Sequence, residues 1–77
     1  MTKLVPISAK QMVKIITKIG FKLQHQKGSH IVFKHSDGRT TTVPMHPGEK
    51  LDRSLIRKIL RDIDLSLDEF EKLRLKT

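Results

Sequence analysis

Four histidines, His25, His30, His35 and His46, are the side chains of this sequence suited to proton transfer near neutrality, and cysteine is absent. Their settings differ. His30 lies in the stretch Gln26-Lys27-Gly28-Ser29-His30-Ile31-Val32-Phe33-Lys34, where a turn, an imidazole and a β-branched and aromatic run follow one another within nine residues. Gly28 permits a left-handed or crowded backbone turn, and His30 falls where the chain enters the strand, at the rim of a sheet. Such a ring can act as general acid or base, and Lys27 and Lys34 offer cations for developing negative charge. Ser29 suits a hydrogen bond to its own backbone, and no activating base beside it marks it as a nucleophile. The spacing of the histidines fits no recognised zinc pattern, and Gly28, Gly38 and Gly48 are isolated turn glycines rather than a phosphate loop. Neither a metal nor an organic cofactor is expected. For His30 the competing reading is a surface histidine that finishes a turn, and His25, His35 and His46 read as structural or surface residues.

At 77 residues the chain is one domain spanning 1–77, too small for a separate catalytic unit. Lacking cysteine and any long apolar run, it reads as a cytoplasmic protein with no membrane segment. The net charge is +8 and unevenly spread: residues 1–61 carry 13 basic and 3 acidic side chains, residues 62–77 carry 3 and 5. A positive field concentrated on the body of the domain predicts a polyanionic partner.

Ser8 with Gln11 fits a capping box, and Ile7 with Met12 its hydrophobic staple. Ala9, Met12, Val13, Ile15, Ile16 and Ile19 follow at helical spacing until Gly20 stops the helix. Phe21-Lys22-Leu23-Gln24-His25 alternates as a strand, with Phe21 and Leu23 expected inward. A second strand runs from Ser29 to His35; with Ile31 and Phe33 facing the helices, His30 and Lys34 share the open face. Asp37-Gly38 marks a hairpin, Thr40-Thr41-Thr42-Val43 the third strand, and Pro44 its end. A loop with Pro47-Gly48 leads to Asp52, the expected cap of a second helix with Leu55, Ile56, Ile59, Leu60 and Ile63 inward and Arg53, Arg57, Lys58 and Arg61 around the rest. Ser66 and Glu69, with Leu65 and Phe70 as staple, start a short third helix burying Leu67, Phe70 and Leu73. Met1 to Val5 and the last few residues are expected to fray.

This αβββα order with its Gly28-Ser29-His30 turn resembles the HicA (YcfA-like) family of mRNA interferase toxins. The Gly20-Phe21 helix exit, the Phe33-Lys34-His35 strand end, the Asp37-Gly38 hairpin, Thr42-Val43-Pro44 with His46 after it, Leu55-Ile56-Arg57-Lys58-Ile59-Leu60 and Leu65-Ser66 also fall in family order. The resemblance covers about residues 8–73. It implies an α+β fold similar to the double-stranded RNA-binding domain (dsRBD-like), with a three-stranded antiparallel sheet packed on helices and a short C-terminal helix. It further implies metal-independent endoribonuclease activity on mRNA and a HicB-like antitoxin protein as partner, the chain being a monomer when free and part of a hetero-oligomer with the antitoxin. The family's catalytic histidine maps onto His30. Ile31 departs from the pattern, since many members carry a second histidine there.

Metal-free RNA cleavage needs a base for the 2′-hydroxyl proton, cations for the charge on phosphorus and a way to hold the strand in line. His30 is the expected catalytic residue; Lys27, Gly28, Ser29, Lys34, Arg53 and Arg57 are the expected RNA-binding residues. The main alternative is a non-catalytic RNA-binding module that recognises helical RNA by shape. A DNA-binding regulator is disfavoured by the intervening sheet and the absence of a helix-turn-helix pattern. With phenylalanine as the sole aromatic type, a base-stacking single-strand binder is disfavoured too.

Overall fold

A computed structural model describes residues 4–46 and 48–76. The order is α1 (Ala9–Lys18), β1 (Lys22–Lys27), β2 (His30–Lys34), β3 (Thr40–Pro44), α2 (Arg53–Asp62) and α3 (Leu67–Lys76). The three strands form one antiparallel sheet in the order β1-β2-β3. The helices lie on one face of it, and the other face is open. Met12, Ile15 and Ile16 of α1, Ile31 and Phe33 of β2, Val43 of β3, Ile56, Ile59 and Leu60 of α2 and Phe70 of α3 form a single buried cluster. Burying each such side chain contributes roughly 1.5–3 kcal/mol. The α+β architecture implied by the resemblance is therefore present. Among the described residues no helix is long and apolar enough to cross a membrane.

Local chemistry sets the helix ends. Ser8 Oγ accepts from Gln11 N at 3.1 Å, Asp52 Oδ1 from Leu55 N at 2.7 Å, and Ser66 Oγ from Glu69 N at 3.1 Å. At Ser66 the box closes side chain to side chain, the hydroxyl donating to Glu69 Oε1. At the far end of α1, Gly20 N donates to Thr17 O and Phe21 N to Ile16 O, with Gly20 at φ 104°. These are the paired bonds of a Schellman stop. The same motif ends α2, where Asp64 N donates to Arg61 O and Leu65 N to Leu60 O, but the left-handed position is held by Asp64 at φ 55°.

Two expectations are corrected. Leu23 does not point into the core: β1 begins at Lys22, all six of its residues are exposed, and Leu23 is 57% exposed. Phe21 is buried, but ahead of the strand. As a sheet edge, β1 is not covered by the helices, so its helix-facing side chain stays in solvent. Leu4 does not fray. It is buried in the core, and its carbonyl accepts from Arg53 Nε at 3.0 Å. An apolar side chain and a long-range cation hold it down, and Leu51 N on Ile7 O at 2.7 Å ties the same segment to the loop before α2. The expected Pro47 turn falls outside the described residues, as do Met1 to Lys3 and Thr77.

Candidate functional site

The β1–β2 hairpin positions His30. Lys27 pairs with His30 across a two-residue loop, Gly28-Ser29, and Gly28 takes φ 60° while Ser29 does not take a positive φ. Positive φ at the first central residue alone is the signature of a type II′ turn, which glycine occupies without strain. Gln26 Nε2 donates to Gly28 O at 3.1 Å across the loop. Behind it, Met45 N donates to Ser29 O at 2.6 Å, so the turn is also tied to the chain leaving β3. The turn that carries the histidine is therefore braced from both sides.

Burial along β2 alternates, with Ile31 and Phe33 buried and His30 and Lys34 exposed. His30 and Lys34 thus share the open face, as the alternation in the sequence implied. Directly opposed residues of an antiparallel pair lie on one face with Cβ atoms about 5 Å apart, which makes Lys27 the cation beside His30. Lys34 is four residues farther along β2, about 13 Å away at strand spacing. It cannot reach a phosphate seated at His30 together with Lys27. Across the sheet, His30 faces Pro44. Among the described residues the His30 imidazole has no hydrogen bond or ion pair, so both of its nitrogens are open to a ligand.

Arg53 and Arg57 belong to the other layer. Both lie on α2, which packs on the buried face of the sheet. Arg53 Nε is engaged with Leu4 O. Arg57 lines a cleft of about 860 Å³ between α2 and the start of α3, with Arg61, Asp64, Leu65 and Ser66 among its walls. The structure therefore brings together His30, Lys27, Gly28 and Ser29, places Lys34 at the far end of their face, and leaves the two arginines on the helical side.

His35 has a different environment. Its Nε2 lies 3.0 Å from Ile19 O, its ring packs edge-on against Phe21 with centroids 5.1 Å apart, and Asp37 N donates to Nδ1 at 3.2 Å. Because Ile19 O only accepts, Nε2 carries a proton, and Nδ1 also faces the Asp37 carboxylate, with Oδ1 at 3.1 Å. Asp37 in turn accepts from Arg39 N at 3.0 Å and Arg39 Nε at 2.7 Å, and the Arg39 backbone N–H is the main reason its carboxyl titrates below the usual value. The Arg39 guanidinium lies 5.3 Å from the Phe21 ring centre and also donates to Ile63 O. His35 is a structural residue that joins the end of α1 to the β2–β3 hairpin.

Sequence reasoning missed two residues of the open face. Lys22 pairs with Lys34, and His25 with Val32, so both share the face of His30. Lys22 lies where the alternation that turns Leu23 inward sets it but was not singled out, whereas His25 changes face through a β-bulge between Leu23 and His25, which inserts Gln24 and shifts the alternation by one. Periodicity carries no signal for a single inserted residue. Among the described residues no group of three or more His, Asp or Glu side chains is arranged to hold a metal ion.

A family model described as HicA toxin of bacterial toxin-antitoxin matches residues 9–65, well over half of the chain and including β1, β2, β3 and α2. No curated protein matches the chain.

Proposed function

Since the chain belongs to the HicA family, the toxins of bacterial toxin-antitoxin pairs, we propose that it acts by cutting mRNA without a metal, with His30 as the catalytic base. The observation that carries this reading is the setting of His30: exposed at the rim of the open face, unpaired among the described residues, and directly across from Lys27. In the proposed step His30 takes the proton of a 2′-hydroxyl. The freed oxygen attacks the adjacent phosphorus, the bond to the 5′-oxygen breaks, and water protonates that oxygen as it leaves. The products are a 2′,3′-cyclic phosphate and a 5′-hydroxyl. Lys27 stabilises the extra negative charge on the phosphoryl oxygens as the new bond forms. The turn at Gly28-Ser29 leaves space for the strand, since nothing lies within 4 Å of a Cβ built on Gly28.

General acid–base catalysis by one residue contributes about 10²- to 10⁴-fold, so a single-histidine site makes a slow nuclease. Covering this exposed rim by an antitoxin protein would silence it, and the free chain would act as a monomer in the cytoplasm. The test is incubation of the protein with labelled single-stranded RNA in EDTA, wild type against His30→Ala. Cleavage by wild type to cyclic-phosphate ends, reduced at least about 10²-fold in His30→Ala at unchanged thermal stability, is expected. Equal cleavage by both proteins would remove His30 from the chemistry. RNA binding by both without cleavage by either would establish a binding module instead.

A further inference from the structure

The open face of the sheet is more basic than the His30 corner requires. Lys22, His25 and Lys27 of β1 and His30, Val32 and Lys34 of β2 share it with Thr40, Thr42 and Pro44 of β3. None of the chain's acidic residues lies in a strand. Lys22 stands directly opposite Lys34, and like charges so placed destabilise a sheet. The bulge creates this arrangement. Continued without it, the register that pairs Lys27 with His30 and His25 with Val32 would set Leu23 against Lys34. With Gln24 inserted, Leu23 moves opposite Phe33 and a lysine takes its place on the open face. Bulges re-aim side chains in this way beside functional sites. Here the effect is to exchange an apolar residue for a second cation where a cation already stands.

From this we infer that the open face is a track for the sugar-phosphate backbone of single-stranded RNA, with Lys22 and Lys34 holding phosphates at one end and Lys27 at the other, beside His30. The inference rests on the reading of RNA as substrate and extends it by naming where the rest of the strand lies. Charge complementarity selects the occupant: a polyanion relieves the Lys22/Lys34 repulsion. All three phenylalanines are buried, so the face offers no phenylalanine for base stacking, and its lysines direct contact to the backbone. An unpaired strand also reaches the in-line geometry that 2′-hydroxyl attack needs. The two ends of the track are about 13 Å apart, so occupancy of Lys22 and Lys34 orients the strand as it passes His30. His25, between them on β1, lines the track.

The test separates the track from the chemistry by measuring binding in the His30→Ala background. Affinity for a labelled single-stranded oligouridine is followed against salt, with and without Lys22→Gln and Lys34→Gln together. Losing two phosphate contacts on a single strand lowers the slope of log affinity against log salt by about 1.4, or about 25-fold in affinity at 0.1 M salt. Lys72→Gln with Lys76→Gln, an equal charge change on exposed α3 positions, is the control and is expected to keep the slope. An unchanged slope overturns the track even if wild type cleaves RNA. A lowered slope sustains it even if wild type cleaves nothing. An equal drop for the Lys72/Lys76 control reduces the effect to net charge and overturns it. An unchanged slope accompanied by lost affinity for an acidic protein partner assigns the face to that partner instead.

Discussion

Two histidines at opposite ends of β2, each next to a glycine with positive φ, show how the same residue types leave an open side chain in one place and make a joint in the other. At the His35 end a Cβ built on Gly20 would come within 2.8 Å of His35 Nε2, and both ring nitrogens are engaged. At the His30 end a Cβ on Gly28 meets nothing within 4 Å, and the ring has no partner among the described residues. The first corner is filled by its own groups and gives stability. The second holds its backbone through Gln26 and Met45 while leaving the side chain free, which is the arrangement a ligand-binding group needs.

The largest effect on stability is expected from comparing the glycines. Gly28→Ala meets only backbone strain, about 1–2 kcal/mol for an L-residue forced to positive φ. Gly20→Ala meets that strain and also displaces His35, which adds about 1–3 kcal/mol from overpacking and a lost hydrogen bond. Urea unfolding of both variants gives the difference. Equal losses would show that the His35 corner is not packed as described. In a His35→Ala background the added cost at Gly20 should largely disappear, a coupling of about 1–2 kcal/mol.

His35→Ala by itself comes next. It leaves Ile19 O without its partner and removes the edge-on contact with Phe21, at a cost of about 1–3 kcal/mol. RNA cleavage per folded molecule should stay at the wild-type rate, measured well below the melting temperature. A loss of rate matching that of His30→Ala would erase the distinction between joint and site.

A smaller effect separates the two helix stops. Gly20 and Asp64 hold the same position of the same motif, but Asp64 carries a side chain at φ 55°. Asp64→Gly relieves that strain at the expense of added freedom in the unfolded chain, for a net gain of about 0.5 kcal/mol. A loss of stability in the urea midpoint would mean that the Asp64 side chain itself supports the stop.

Most of the scaffold was legible because its signals are local and repeated. Ser8 to Gly20 states a cap, a helical stripe and a stop; Asp52 to Ile63 repeats the first two; the alternation of His30 to Lys34 set His30 on the open face. What escaped was non-local. The bulge at Gln24 exists only as a register against β2, and nothing in Phe21-Lys22-Leu23-Gln24-His25 distinguishes it from a regular strand. Leu4 is held by Arg53, 49 positions away in sequence, and a short apolar N-terminus alone reads as a frayed end. The candidate site was legible as far as its turn: Gly28-Ser29 marks the loop that sets His30 at the head of β2. His25 joins that face only through the bulge, so it could not be read with it.

The weakest handle on the comparison is pH. Asp37 belongs to the packed corner, where the Arg39 backbone N–H and then its guanidinium favour the charged carboxylate and hold the folded-state value below the model-compound 3.8. For a depressed carboxyl the stabilisation is complete above the unfolded value and is lost as pH falls through the folded one. Asp37→Asn should therefore be less stable than wild type at pH 7, with the gap closing below about pH 4 as the wild-type carboxyl takes up its proton. The effect is small because Asp37 is exposed and its ion pair is screened by water. His30→Ala should leave this acid limb where it is, since Asp37 lies beyond Lys34 at the other end of β2. A gap that persists undiminished at pH 2 would mean that Asp37 acts through the turn geometry of its side chain, which asparagine reproduces imperfectly, and that its charge contributes nothing to the corner.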